Sequence, residues 1–157
     1  MGRIINRIKK SKNTNKKIKN AKECIYNSIK FKSNLEKYCY MELEKSNIKF
    51  GYEEDKYLLV PQFIFSGEVY SDYDKEGNII EGTNKVREMT FTPDFVGKED
   101  NWIIECKGFM NDTFPLKWKL FKYYLSLKED KHILFLPRNR KHVDQVIKII
   151  LNKFKTK

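Results

Sequence analysis

Residues 91–108 read FTPDFVGKEDNWIIECKG, and the architecture of the chain turns on how this stretch is threaded. Two strand segments, Phe95–Val96 and Trp102–Lys107, flank the turn GKEDN, with Gly108 closing the second, a pattern of two adjacent antiparallel strands. In a strand, residues i and i+2 share a face. Trp102, Ile104 and Cys106 therefore form one apolar surface, while Glu105 and Lys107 point together to the other side. Pro93 breaks the ladder in front of Asp94, which places that carboxylate at the end of its strand and near Glu105. The stretch predicts a buried strand pair carrying an acid on each strand and a lysine beside one of them.

The flanking sequence supplies the remaining layers. In SNLEKYCYMELEK, Ser33 stands three residues before Glu36, and Leu35, Cys39 and Leu43 recur along one helical face. Ser46-Asn47 ends that helix. Two β-rich runs follow, Ile48–Glu53 and Tyr57–Phe65, the second interrupted by Pro61. Turn signals at DKEGN and EGTN predict a hairpin-like excursion that feeds a strand over Val86–Thr92. Beyond Gly108, FPLKWKLFKYYLSLK opens with proline at a first helical position and predicts a helix with Leu116, Leu120, Tyr123 and Leu127 as its apolar stripe. KHILFLP reads as a buried strand. A terminal amphipathic helix follows on Val143, Val146, Ile147, Ile150 and Phe154. The order is helix, antiparallel strands, helix, strand, helix. It predicts one α/β (α+β) domain over residues 21–157, a mixed β-sheet flanked by helices.

With 157 residues and 14% aromatic content, the chain can build one core and is too short for two of ordinary size. Cys24, Cys39 and Cys106 are odd in number and lack CxxC spacing, so they read as reduced packing residues. No apolar run is long enough to span a membrane, and the basic N-terminus lacks a signal-peptide core, so a cytoplasmic location is expected. Charge is unevenly placed. The net charge is +11, and residues 1–22 hold nine Lys or Arg and no acid. The remainder holds 23 bases and 21 acids. A segment so polar cannot bury enough apolar surface to offset its ordering entropy. Residues 1–20 are expected to form a basic flexible arm that either solubilises the chain or seeks phosphate, Lys9, Lys10, Lys16 and Lys17 among its contacts.

Two carboxylates held close together repel unless a cation joins them. A hard divalent ion takes oxygen ligands and binds through one or two carboxylates together with substrate phosphate. A lysine beside it orients or deprotonates an attacking water and offsets phosphate charge. Asp94, Glu105 and Lys107 therefore suit phosphodiester hydrolysis. The structural alternatives are a turn cap for Asp94 and a cross-face ion pair for Glu105 and Lys107. Glu36 has its own alternative, a capping box in which it bonds back to the Ser33 amide. His132 and His142 have no partner spacing for chemistry and read as structural.

Pro93-Asp94 and Glu105-Cys106-Lys107 resemble the signature of the PD-(D/E)xK nuclease superfamily. More narrowly, SNLE at 33–36, IKFGYEE at 48–54, FTPDF at 91–95 and IIECKG at 103–108 resemble the phage endonuclease I family of Holliday junction resolvases. They resemble equally a group of small phage proteins with a PDF…E-x-KG core followed by F-x-L-K-x-K-L-F, here FPLKWKLF. Together the resemblance covers residues 30–125. It implies a restriction-endonuclease-like fold and a metal-dependent DNA endonuclease acting on branched DNA in phage recombination or DNA processing, in the host-cell cytoplasm. On that basis Asp94, Glu105 and the Cys106 carbonyl would bind Mg²⁺, with Mn²⁺ able to substitute. Lys107 would activate or position water, and Glu36 would assist a second metal site or the water. Lys117 and Lys119 on the second helix, and Arg138 and Arg140 after the last strand, would contact DNA. The resemblance also implies a homodimer in which Glu36 of one protomer could serve the other's site. The rival from another class is a non-catalytic DNA-binding protein of the same fold in recombination, packaging or assembly.

Overall fold

A computed structural model of the chain describes residues 23–129 and 131–154. The expected basic arm, with Lys9, Lys10, Lys16 and Lys17, lies outside the described residues. The first element is a hairpin, β1 (Cys24–Tyr26) and β2 (Ile29–Phe31). Its two turn residues, Asn27 and Ser28, both adopt positive φ, 47° and 64°, as a tight two-residue hairpin turn requires. Helix α1 (Asn34–Lys45) follows, capped by Ser33, whose side chain accepts from the Glu36 amide. Asn47, with φ 52°, ends it. Cys39 and Leu43 are its buried apolar residues.

The central sheet contains β3 (Phe50–Tyr52), β10 (Phe95–Gly97), β11 (Trp102–Ile104) and β12 (Ile133–Phe135), in spatial order β12-β11-β10-β3. β10 is antiparallel to both β3 and β11, whereas β12 runs parallel to β11. Helix α2 (Phe114–Leu127) connects β11 to β12, and α3 (Arg140–Phe154) closes the chain. Gly97 allows the tight β10–β11 turn: a Cβ there would sit 2.3 Å from the Asp100 carbonyl and 2.7 Å from the Trp102 indole.

The two faces of this sheet bury separate cores. Phe95, Trp102, Ile104 and Cys106 pack with Cys39 and Leu43 of α1 and with Val143, Val146, Ile147 and Ile150 of α3. On the opposite face Val96 and Ile103 pack with Phe91 and with Phe114, Phe121 and Leu125 of α2. The alternation read from Trp102 to Lys107 is thus what separates the layers. The regular strand stops at Ile104, but the Glu105 and Lys107 amides still donate to the Phe135 and Pro137 carbonyls at 3.0 Å each, which keeps the segment extended.

Three expectations need correction. The α2 core stripe is Phe114, Trp118, Phe121 and Leu125, not Leu116, Leu120, Tyr123 and Leu127. Both sets have the same 4-3-4 spacing, and the set with three aromatic rings is buried because it offers more apolar area. Those rings meet Phe91 and Tyr57, with Phe91–Phe121 centroids 4.6 Å apart and Tyr57–Phe121 5.0 Å. The single strand expected over Val86–Thr92 is divided into β8 (Lys85–Val86) and β9 (Met89–Phe91). Only DKEGN reverses the chain, Gly77 taking φ 89°, whereas EGTN leads onward along the ribbon. The run over Tyr57–Phe65 divides at Pro61 into β4 (Tyr57–Val60), paired with β9, and β5 (Phe63–Ile64), paired with β8. Beyond them, among the described residues, β6 (Tyr70–Tyr73) and β7 (Ile79–Glu81) pair only with each other.

Candidate active site

A cleft of about 990 Å³ opens where β3, β10 and β11 end beside the start of α1. Glu36, Glu53, Asp94, Glu105, Cys106 and Lys107 line it, with Lys32, Lys117, Arg138 and Arg140 at its walls.

Asp94 organises the acids. Pro93 is fully buried, and Asp94 directly after it is 7% exposed. Its Oδ2 accepts the Cys106 amide at 2.6 Å, and its carbonyl accepts the Glu53 amide at 2.9 Å. One residue thereby ties the ends of three strands together. Burial, and then the neighbouring Glu105 and Glu36 charges, hold the Asp94 carboxyl well above its ordinary range, and the Cys106 amide only partly offsets this.

Glu36 projects from the first turn of α1. Its Oε1 accepts the Ser33 hydroxyl at 2.7 Å, and its Oε2 accepts the Lys32 amide at 3.0 Å and the Tyr52 hydroxyl at 3.1 Å. Its carboxylate therefore bonds one residue earlier than the capping-box pattern predicts, to the Lys32 amide. Glu36 faces the cleft while it braces the helix start. Glu36, Glu53 and Asp94 each offer a carboxylate oxygen within 4.8 Å of the others.

Glu105 is 6% exposed, and its Oε2 is buried without a hydrogen-bond partner among the described residues. Its Oε1 lies 3.7 Å from the Lys107 ammonium. Burial pushes the Glu105 carboxyl up to about 7, against the opposing pull of Lys107. The Lys107 ammonium also stands 4.8 Å over the Phe114 ring, a cation–π contact that restricts it to the cleft side. The Cys106 side chain belongs to the α1–α3 core, and burial pushes its thiol up. The expected acid-and-lysine constellation is thus brought together by one chain, including Glu36.

The basic positions divide. Lys117, Arg138 and Arg140 reach the cleft, and Arg140 lies 5.0 Å over the Tyr38 ring. Lys119 is exposed and outside the cleft. His142 accepts the Arg138 amide at 3.3 Å and does not line the cleft, in keeping with a structural role.

Two cleft residues escape sequence reading. Glu53 follows β3 with φ 50°, a left-handed conformation that turns its carboxylate back toward Asp94. Lys32 forms an ion pair with it. Burial lowers and Glu53 raises the Lys32 pKa, with the Glu53 contact dominant. The only sequence signal for Glu53 is the acidic run Glu53-Glu54-Asp55 at a strand end.

No family model, characterised protein or solved structure matches this chain.

Proposed function

We propose that the chain is a metal-dependent DNA endonuclease of restriction-endonuclease-like fold that hydrolyses phosphodiester bonds, with branched DNA as its substrate. The observation that carries this reading is the convergence of Asp94, Glu105 and Lys107 with Glu36 and Glu53 in one cleft walled by bases. The order α1, β3, β10, β11, α2, β12, with β12 parallel beside β11, supports the fold assignment. Branched DNA rests on the resemblance to the resolvases.

The donor set fits a hard divalent cation. Glu36, Glu53 and Asp94 bring carboxylate oxygens within 4.8 Å of one another, and among the described residues the buried Glu105 Oε2 has no hydrogen-bond donor, an arrangement that costs free energy unless positive charge joins it. Asp94 and Glu105 would hold Mg²⁺ or Mn²⁺ with the Cys106 carbonyl as a further oxygen, and Glu36 and Glu53, whose carboxylate oxygens lie within 4.8 Å of one of Asp94's, would stand beside them. When bound, the ion polarises the phosphate and lowers the pKa of water.

The chain's own groups do the rest. Water attacks phosphorus and releases one proton to solvent, one P–O ester bond breaks, and the departing oxygen takes a proton back from solvent. Lys107, paired with Glu105 and fixed over Phe114, donates from Nζ to the phosphate oxygen where charge develops. Arg138, Arg140 and Lys117 hold flanking phosphates, which positions the strand and carries no sequence information. Glu36, fixed by three donors, orients the water.

The test is a panel of junction, fork, duplex and single-stranded DNA with Mg²⁺, Mn²⁺ or chelator. Cleavage is expected with either metal, strongest on the junction, and none with chelator or in Glu105→Gln. Tight binding without cleavage under every metal condition would assign the protein to the non-catalytic, DNA-binding class.

A further inference from the structure

The cleft carries one aromatic ring that the proposed chemistry leaves unused. Among the described residues Phe91, Phe109 and Phe114 line it. Phe91 and Phe114 are buried against α2, and the Lys107 ammonium lies over the Phe114 ring. Phe109 is 68% exposed and belongs to neither core, whereas Met110, the next residue, packs on the α2 side of the sheet. The backbone is held on both sides of Phe109. The Lys107 amide donates to the Pro137 carbonyl at 3.0 Å, and the Asn111 side chain accepts the Phe114 amide at 3.0 Å where α2 begins. A Cβ on Gly108 would lie 3.9 Å from the Arg138 carbonyl, so the loop runs along the Arg138 wall of the cleft.

A single exposed apolar residue on an outer surface is ordinary. Phe109 instead lines a cleft walled by the basic side chains of Lys32, Lys117, Arg138 and Arg140. Contacts from such side chains to phosphates position a nucleic-acid strand but leave its bases unread. Every base has a π-face, and an aromatic side chain stacks on it with little regard to sequence. Inside a duplex both faces of each base are covered by the bases above and below. Only a base that has lost a neighbour offers a free face. Phe109 stands two residues past Lys107, at most about 7 Å along the backbone, so ring and ammonium reach adjoining nucleotides.

We infer that Phe109 stacks on an unpaired base beside the scissile phosphate and is a specificity-determining residue of the cleft. The position of the scissile phosphate rests on the nuclease reading; the stacking itself is measured without turnover. What the ring recognises is the open base face and not the number of DNA arms. The point where strands exchange in branched DNA supplies such a face, and so does one unpaired nucleotide in an otherwise linear duplex.

The experiment measures binding of the full chain, in chelator so that nothing is cut, to a paired DNA duplex and to the same duplex with one extra, unpaired fluorescent adenine analogue. The wild type is expected to bind the bulged duplex about 10-fold more tightly, the scale of one base–aromatic stack, and to quench the analogue as the ring stacks on it. Phe109→Ala should lose both the preference and the quenching, with the salt slope unaltered because the ring neutralises no phosphate. Phe109→Trp should keep both. Equal wild-type affinity for the two duplexes overturns the proposal. So does a preference that survives in Phe109→Ala, or a loss in that variant by the same factor on both duplexes. A Phe109→Trp variant as impaired as Phe109→Ala overturns it too, since any aromatic ring should stack. Cleavage of the same DNA in Mg²⁺ is scored separately. Preference and quenching without cleavage uphold the stacking site and sink the nuclease reading, and cleavage without preference does the reverse.

Discussion

The buried carboxyl of Glu105 makes the stability of the protein depend on pH in a direction opposite to that of an ordinary paired acid. Its value in the fold is about 7, against 4.5 for an unperturbed glutamate. A raised carboxyl means that the folded state binds the proton more tightly than the unfolded chain does. The associated stability is fully present below about pH 4.5 and is lost as pH rises through about 7. The difference corresponds to about 3 kcal/mol, or a fall in Tm of about 10 °C for a domain of this size. Asp94 is shifted in the same direction by the same kind of burial. Glu105→Gln removes one ionisation and leaves the shape, so in chelator at pH 8 the variant should melt several degrees above the wild type, with the gap closing toward pH 5. A divalent ion favours the charged carboxylate, so Mg²⁺ should raise the wild-type Tm more at pH 8 than at pH 5 and should do little to the variant. Differential scanning fluorimetry across pH 5–8, with Mg²⁺ or chelator, measures all four arms. A wild-type minus variant difference that is flat with pH would refute the assignment of Glu105 as a buried, destabilising charge.

Asp94→Asn and Lys107→Ala should each abolish cleavage in a gel assay while the protein stays folded, and Asp94→Asn should bind DNA at least as tightly as wild type because a charge facing phosphate is gone. Glu36→Gln keeps one acceptor oxygen, so its melting should change by no more than about 1 kcal/mol while the cleavage rate falls by orders of magnitude; unchanged cleavage would return Glu36 to a purely structural role. Glu53→Gln should weaken Mg²⁺ binding by calorimetry, and an unchanged affinity would remove it from the metal site. Deleting residues 1–20 should flatten the log–log salt slope of duplex binding by about 3–4 if roughly four charges engage phosphate, without altering preference among DNA structures.

The hairpin of residues 95–104 was legible because its alternation is strict and both its faces are buried, so a slip of one residue would exchange the two cores. Helix α2 was legible as a helix and not as a surface. Phe114, Trp118, Phe121 and Leu125 compete with Leu116, Leu120, Tyr123 and Leu127 at identical spacing, and only the rings of Tyr57 and Phe91 across the interface decide between them. The β1–β2 hairpin escaped because its turn is Asn27-Ser28, where serine takes a positive φ that glycine normally supplies. Asp94, Glu105 and Lys107 could be read because they lie on strands whose period is known. Glu53 could not, since its approach to Asp94 depends on a left-handed backbone and on the antiparallel pairing of Tyr52 with Phe95. Glu36 was seen both as a cap and as a cleft residue, and its hydrogen bonds serve the first role while its position serves the second.

The hydrogen bond from the Cys106 amide to the Asp94 carboxylate has a consequence for how such a chain can change. It fixes one functional segment to the other through strand pairing, across β10 and β11, and not through the connection between them. Residues 98–101 could therefore gain or lose length without moving Asp94 relative to Glu105, provided that Phe95 still pairs with Ile104 and that Gly97 keeps its close approach. The number of residues separating the acids is free to drift over evolutionary time, and what descent must preserve is alignment. Two distant relatives could then agree on every atom of the cleft and share no fixed interval in their sequences.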